Sequence, residues 1–228
     1  MTGSELKEGR RRTSLTQEEA AKRLCLTQAY LSMLERNHRP VTPALALKAQ
    51  KLFDLSPVSL PLRGARSSPL SDDEFKSELG ACAYPGFRYL RGKPTRNPAE
   101  LLFCALDRAD LDRRVVEALP WLALAFVNLD WDWLVMHAKL RDRQNRLGFV
   151  VELAKETADR RGDAMSSAKL LETLAVLRRS RLAEEDTLCH ASMTEAERKW
   201  LRSKRPQPAK RWNLLTDLDV KDLSYAWS

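Results

Sequence analysis

Leu15-Thr16-Gln17-Glu18-Glu19-Ala20-Ala21-Lys22-Arg23-Leu24-Cys25-Leu26-Thr27-Gln28-Ala29-Tyr30-Leu31-Ser32-Met33-Leu34-Glu35-Arg36 is the stretch whose reading decides the fold of the first part of this chain. Twice it places a hydroxyl residue just ahead of an apolar-periodic run. Thr16 is followed three residues on by Glu19, a spacing in which the hydroxyl accepts a backbone N–H and the glutamate reaches back to the cap's own N–H. Ala20, Ala21 and Leu24 then share one helical face. Thr27 repeats the start signal, and Leu31 and Leu34 form the second buried stripe. The small Ala21 lets two helices cross closely, and Leu26 in the connecting turn plugs the space between them. The spacing predicts a short helix, a tight turn and a second short helix. Away from the stripe, the second helix carries Gln28, Tyr30, Ser32, Met33 and Arg36.

That outward face has a chemistry. A glutamine amide pairs in bidentate fashion with the adenine edge in the major groove, and an arginine pairs with guanine or phosphate. A helix-turn-helix with such a face is one form in which proteins read duplex DNA. The alternative is a pair of amphipathic helices in an ordinary helical bundle.

Residues 6–53 resemble the XRE family, the Cro/CI-type repressor DNA-binding domain. The resemblance rests on Leu-Thr-Gln-Glu-Glu-Ala-Ala at 15–21, Thr-Gln-Ala-Tyr-Leu-Ser-Met-Leu-Glu-Arg at 27–36, and Pro-Val-Thr-Pro at 40–43 ahead of another helix. It implies a lambda-repressor-like bundle of four or five helices whose third helix lies in the major groove. It further implies that Gln17 bonds a phosphate from the start of helix 2 and that Gln28 reads a base. Ala29, Ser32 and Met33 would lie near base edges and Tyr30 near the backbone. With Thr16, Thr27, Arg36 and Arg39, these residues make up the candidate DNA-contacting set. Glu35 stands where the family often pairs a buried acid with a helix-1 arginine, here Arg10. The sequence departs from the pattern at Cys25, where most members have glycine in a left-handed turn. A side chain there costs about 1–2 kcal/mol.

Charge points the same way. The chain of 228 residues has a formal net charge of +8. Residues 1–66 hold twelve Lys/Arg against six Asp/Glu, so most of the excess sits with the motif. Cations that neutralise phosphates release counterions, which predicts binding that weakens steeply with salt. The start of the chain is polar and reads as having no signal peptide. The longest apolar run, Leu119 to Val127, is well short of the roughly twenty residues of a membrane span. Four scattered cysteines (25, 82, 104, 189), with no C-x-x-C pair, argue against structural zinc and a disulfide framework. Reduced thiols in a cytoplasm are the plain reading, and no cofactor is expected.

Further along, Thr42-Pro43 reads as a cap with proline at the first helical position, opening a helix to about Phe53. Residues 63–73 are rich in Arg, Ser, Pro and Asp, as a boundary is. Tyr84 to Leu90 either docks on the second domain or stays an exposed aromatic tether. From Asn97-Pro98 onward the pattern is helical. One helix is expected over 98–106, with Asn97 as its cap, and another from about Leu111 that kinks or ends at Pro120. Trp121–Val127 reads as buried. A helix opening at Asp130 could continue to Ala154 unless Gly148 breaks it. Further helices are expected over 169–182 and from Thr194. Trp121, Trp131 and Trp133 read as core anchors, with an aromatic pocket as the alternative. The run 139–146 reads as a solvated face, with a second nucleic-acid contact as the alternative. Arg205 to Arg211 is expected to break any helix. The apolar tail from Trp212, interleaved with acids, can wrap its own domain or fold onto another protein.

The expectation is an all-α chain with almost no sheet. Its divisions are a helix-turn-helix domain at 1–66, a linker or docking segment at 67–96, and a helical dimerisation or partner-binding domain at 97–228 with a tail from about 205. The function expected is a sequence-specific transcriptional regulator, a homodimeric repressor of its own operon on a pseudo-palindromic double-stranded DNA operator. The alternative is an antitoxin that neutralises a co-encoded toxin through its C-terminal domain while autoregulating. No catalytic glycine loop, nucleophile motif or paired carboxylates are evident, so enzymatic activity is not expected.

Overall fold

The structure, a computed structural model, describes residues 1–62, 70–90 and 92–227, with the side chain of Trp227 left out. The chain forms two compact units, Met1–Arg63 with Lys93–Asn97, and Gly64–Gly92 with Pro98–Ser228. Most of the stretch expected as a boundary, 63–73, lies outside the described residues.

The first unit contains α1 (Gly3–Arg12), α2 (Gln17–Leu24), α3 (Gln28–Glu35) and α4 (Pro43–Phe53), closed by a single 3-10 turn, Pro57–Ser59. Each of the four helices begins at a threonine whose hydroxyl accepts a backbone N–H: Thr2, Thr16, Thr27 and Thr42. At Thr2 and Thr16 the reciprocal glutamate is present as well. Their apolar stripes converge on Leu6, Ala20, Ala21, Leu24, Leu31, Leu34, Leu45, Ala49 and Phe53, with Leu26 packed on the rim. Gly3 has to be glycine-sized, because a β-carbon there would stand 2.0 Å from the Leu34 carbonyl oxygen at the end of α3. The Asn97 side-chain amide donates to the carbonyls of Val58 and Leu60, each at 2.7 Å. That ties the returning strand of chain 93–97 into this unit.

The second unit contains α5 (Asp72–Ala81), α6 (Pro98–Leu106), α7 (Arg113–Ala125), α8 (Trp131–Leu140), α9 (Gln144–Arg160), α10 (Ala164–Arg179), α11 (Glu195–Lys204) and α12 (Gln207–Arg211). Two strands of two residues, β1 (Asp186–Thr187) and β2 (Leu214–Leu215), pair in parallel. The fold is all-α with almost no sheet, as the absence of period-two alternation predicts. Among the described residues, no helix is long and apolar enough to cross a membrane.

Some sequence expectations are met here and others change. The segment 67–96, expected as a linker or docking segment, holds α5 and the turn Pro85–Phe87 in the second unit, while Lys93–Asn97 belongs to the first. The aromatic segment docks. Tyr84 and Phe87 are buried, and Tyr84 stands edge-on to Phe87, Trp121 and Tyr225. Pro120 does not end its helix; α7 runs through it to Ala125. The long helix expected from 130 to 154 is two, because the chain turns at Asp142 (φ 55°) before α9 begins. Residues 205–211 do not exclude a helix: Pro206 caps α12 and Pro208 sits in its first turn, where a missing N–H costs nothing.

The run 139–146 is not one solvated face. Gln144, Asn145 and Arg146 are buried. The Arg146 guanidinium grips Asp186 through two nitrogens at 2.6 and 2.8 Å and donates to the Leu106 and Arg108 carbonyls. Burial alone would raise the Asp186 carboxyl, but the Arg146 bonds outweigh it and hold it below the usual range.

Trp121, Trp131 and Trp133 are only half-buried. The indole that anchors this core is Trp212, fully buried, whose Nε1 donates to Glu152 Oε2 at 2.6 Å. The tail therefore wraps its own unit, burying Leu214, Leu215, Leu218, Val220, Leu223 and Tyr225. Gly148 does not break α9 but lies under that indole: a β-carbon on it would come within 2.3 Å of the Trp212 ring. Replacing a helix-interior glycine by alanine ordinarily stabilises by about 1 kcal/mol. Gly148→Ala is expected to destabilise instead, by about 1–3 kcal/mol, because the ring has to move. A lower urea midpoint at unchanged slope is the readout.

Candidate nucleic-acid interface

The candidate reading helix, α3, is short and its inward face is Leu31, Leu34 and Glu35. Its exposure pattern follows from that. Gln28 and Ala29 in the first turn are exposed, Tyr30 and Ser32 are half-buried, and Met33 is 38 % exposed. Arg36 ends the helix, and Arg39 follows in the loop. Both are exposed, and neither makes a side-chain hydrogen bond or ion pair among the described residues. Gln28, Ala29, Ser32, Met33 and Arg36 thus fall along one side of a single helix, at spacings that keep them together on its outward surface.

The turn before α3 takes the geometry that glycine favours. Cys25 has φ 59° and ψ 44°, left-handed, and its N–H donates to the Ala21 and Lys22 carbonyls. The thiol is exposed and unpaired. Cys25→Gly is expected to raise stability by about 1 kcal/mol through relief of that conformation, read as a higher unfolding midpoint.

Behind the exposed face lies a chain of polar contacts. Arg10 of α1 donates from Nε to Glu35 Oε1 at 2.6 Å and from Nη2 to Oε2 at 3.0 Å. The Glu35 side chain is 1 % exposed. Arg10 Nη1 also donates to the Leu15 carbonyl at 2.9 Å, which fixes the α1–α2 turn. Gln17 Nε2 donates to Glu35 Oε2 at 2.8 Å, and Gln28 Nε2 donates to Gln17 Oε1 at 2.9 Å. An unbroken line of hydrogen bonds therefore runs from a buried ion pair to the exposed tip of α3.

Gln17 has an internal role beyond the phosphate contact that the resemblance implies. Thr16 is occupied as a cap, its hydroxyl accepting from the Glu19 N–H and donating to the Glu19 carboxylate at 2.8 Å. Thr27 accepts from the Tyr30 N–H. Two residues absent from the candidate set also set the geometry. Asn37, with φ 58°, accepts from the Gly3 N–H through Oδ1 at 2.7 Å and pins the start of α1 to the end of α3. Arg12 donates to the Phe53 and Asp54 carbonyls and so caps α4. An asparagine just after a helix end is the signal that could have found the first; the second depends on the packing of α1 against α4.

Residues 6–60 match the model of a family described as helix-turn-helix, HTH_3. No curated protein and no solved structure matches the chain. The N-terminal segment is thus a helix-turn-helix of the XRE type, and the protein is a DNA-binding transcription regulator.

Burial would raise the Glu35 carboxyl, but hydrogen bonds from Arg10 and then Gln17 more than offset this, and its pKa lies below the usual carboxylate range. A depressed folded-state pKa stabilises fully above the unfolded value of about 4.3 and stops doing so as pH falls through the folded value. Glu35→Gln is expected to cost about 3 kcal/mol at neutral pH, since the guanidinium loses its charged partner. It should also remove this group's share of the acid-induced loss of stability. Denaturant titrations of both proteins at a series of pH values from neutral to acid check both statements.

Proposed function

We propose that this protein is a sequence-specific repressor that binds a pseudo-palindromic operator as a homodimer and controls its own operon. Gln28 is its principal base-reading side chain. The observation that carries this reading is the fixed, exposed Gln28 amide at the first turn of α3. One of its N–H groups is committed to Gln17. The other N–H and the carbonyl oxygen remain, and these are the donor and acceptor that match adenine N7 and N6 in the major groove. Ala29, Ser32 and Met33 would follow along the groove, with Met33 suited to a thymine methyl. Arg36 and Arg39 are the cations for guanine or phosphate. Tyr30, Gln17, Thr16 and Thr27 would lie toward the backbone.

A four-helix reader with one recognition helix covers one half-site, and two-fold pairing of half-sites about 34 Å apart supplies the remaining specificity. A dimer seated on a promoter occludes it, so repression is the simplest output. The place of action is the cytoplasm, where the operator is. The antitoxin reading assigns the hold on a toxin to the helical domain 97–228, above all to the tail from Trp212. The burial of Trp212 and of the apolar residues after it favours the regulator reading over that one.

Binding of fluorescent duplexes is the test. Gln28→Ala is expected to raise Kd about tenfold or more on the preferred operator, corresponding to about 1–3 kcal/mol, and to flatten the preference at one base pair of each half-site. Arg39→Ala should weaken all sequences about equally and reduce the salt slope by about one. Equal affinity and equal preference for the Gln28→Ala and wild-type proteins would remove the assignment.

A further inference from the structure

In the second unit, α8 and α10 leave an open groove of about 750 Å³ between them. Trp131, Val135 and Met136 of α8 and Val176 of α10 line it. Met136 is 51 % and Val176 45 % exposed, unusual for apolar side chains that share one depression. Asp130, Lys169 and Glu172 line the groove as well, Lys169 donating to Asn128, and along α8 itself the two signs of charge are separated by the apolar centre. Asp132 stands near the start of α8 and Lys139 near its end, both lining the groove and both exposed. Neither forms an ion pair among the described residues. They are seven residues apart, about 10.5 Å along the axis, and the midpoint between them falls between Val135 and Met136.

We propose that this groove is where two copies of the chain associate, with the α8 helices antiparallel about a two-fold axis passing between Val135 and Met136. This deepens the dimeric reading of function and rests on it. A two-fold axis at that point brings Asp132 of each copy against Lys139 of the other, twice, and lays the apolar midsections of the two helices together. An isologous interface requires a patch complementary to itself. A partner of a single charge sign would find half of this face repulsive. The pattern acid, apolar centre, base along one helix face meets its complement in a reversed copy of the same helix. The acid at the helix start and the lysine at its end are also each placed favourably for the helix dipole, so the association opposes no local preference.

The test is sedimentation velocity of the full-length protein without DNA, at about 0.1 M salt or less so that charge is not screened out. The wild type is expected to be a dimer. Asp132→Lys and Lys139→Asp should each weaken dimerisation by about tenfold or more through like-charge contacts. An equimolar mixture of the two variants should recover it, because each then supplies what the other lacks. Met136→Glu should be monomeric with unchanged far-UV circular dichroism and melting temperature.

A monomeric wild type at about 100 µM overturns the proposal. So does a dimer indifferent to these substitutions, or a mixture that fails to recover. Capture of a different protein by the groove with dimerisation unaffected by Met136→Glu overturns it too. The DNA reading is scored separately: the Met136→Glu protein should still bind a single half-site in a Gln28-dependent way. Loss of that dependence counts against the role of Gln28 and not against the interface.

Discussion

The ion pair between Arg10 and Glu35 is the constraint on which the reading surface depends. Two charges taken from water cost several kcal/mol each, and the loss is offset only when the geometry is good and the remaining donors and acceptors are filled. Here the guanidinium meets the carboxylate through two nitrogens, and its third contact is the Leu15 carbonyl. A further acceptor position on Oε2 is filled by Gln17. Satisfying the pair therefore sets the separation of α1 from α3, closes the α1–α2 turn and fixes the side chain at the start of α2. Gln28 inherits its orientation from that chain of requirements. Removing one partner of such a buried pair costs more than the pair itself contributes, because the other charge is left buried and uncompensated.

The second unit uses the same device at two other places. Arg146 holds β1 and the end of α6 together through Asp186 and two carbonyls. Glu152 of α9 receives Trp212 and Arg211 from the C-terminal tail and also faces Arg178 of α10. Gly148 one turn earlier leaves the space that the indole fills. A polar anchor and a cavity matched to one ring together commit the tail to its own unit. Met136 of α8 and Val176 of α10 remain outward.

Local signals carried the first unit far. Threonine caps, the glutamate three residues on, the leucine stripes and the polar face of α3 all act within a few residues, so they are legible before any tertiary contact is known. The Cys25 turn is of the same kind. The second unit was less legible where long-range packing overrode local preference. Pro120 reads as a stop yet lies within α7, and Gly148 reads as a break yet belongs to a helix of 17 residues. The run 139–146 looks like a solvated face because charge is usually exposed. Arg146 is buried only because a carboxylate forty residues away meets it.

By itself the sequence determined the class of the protein and the reader: caps, stripes and turn at 15–36 depend on neighbours three or four residues apart, a range over which residue order is geometry. Only the tertiary structure decided which charges are spent internally, which tryptophan holds the core and where the tail goes. Those outcomes depend on pairs such as Arg10–Glu35, Arg146–Asp186 and Trp212–Glu152, whose members lie 25, 40 and 60 residues apart. No local periodicity encodes such a pairing, because it is selected by the free energy of burying both partners at once.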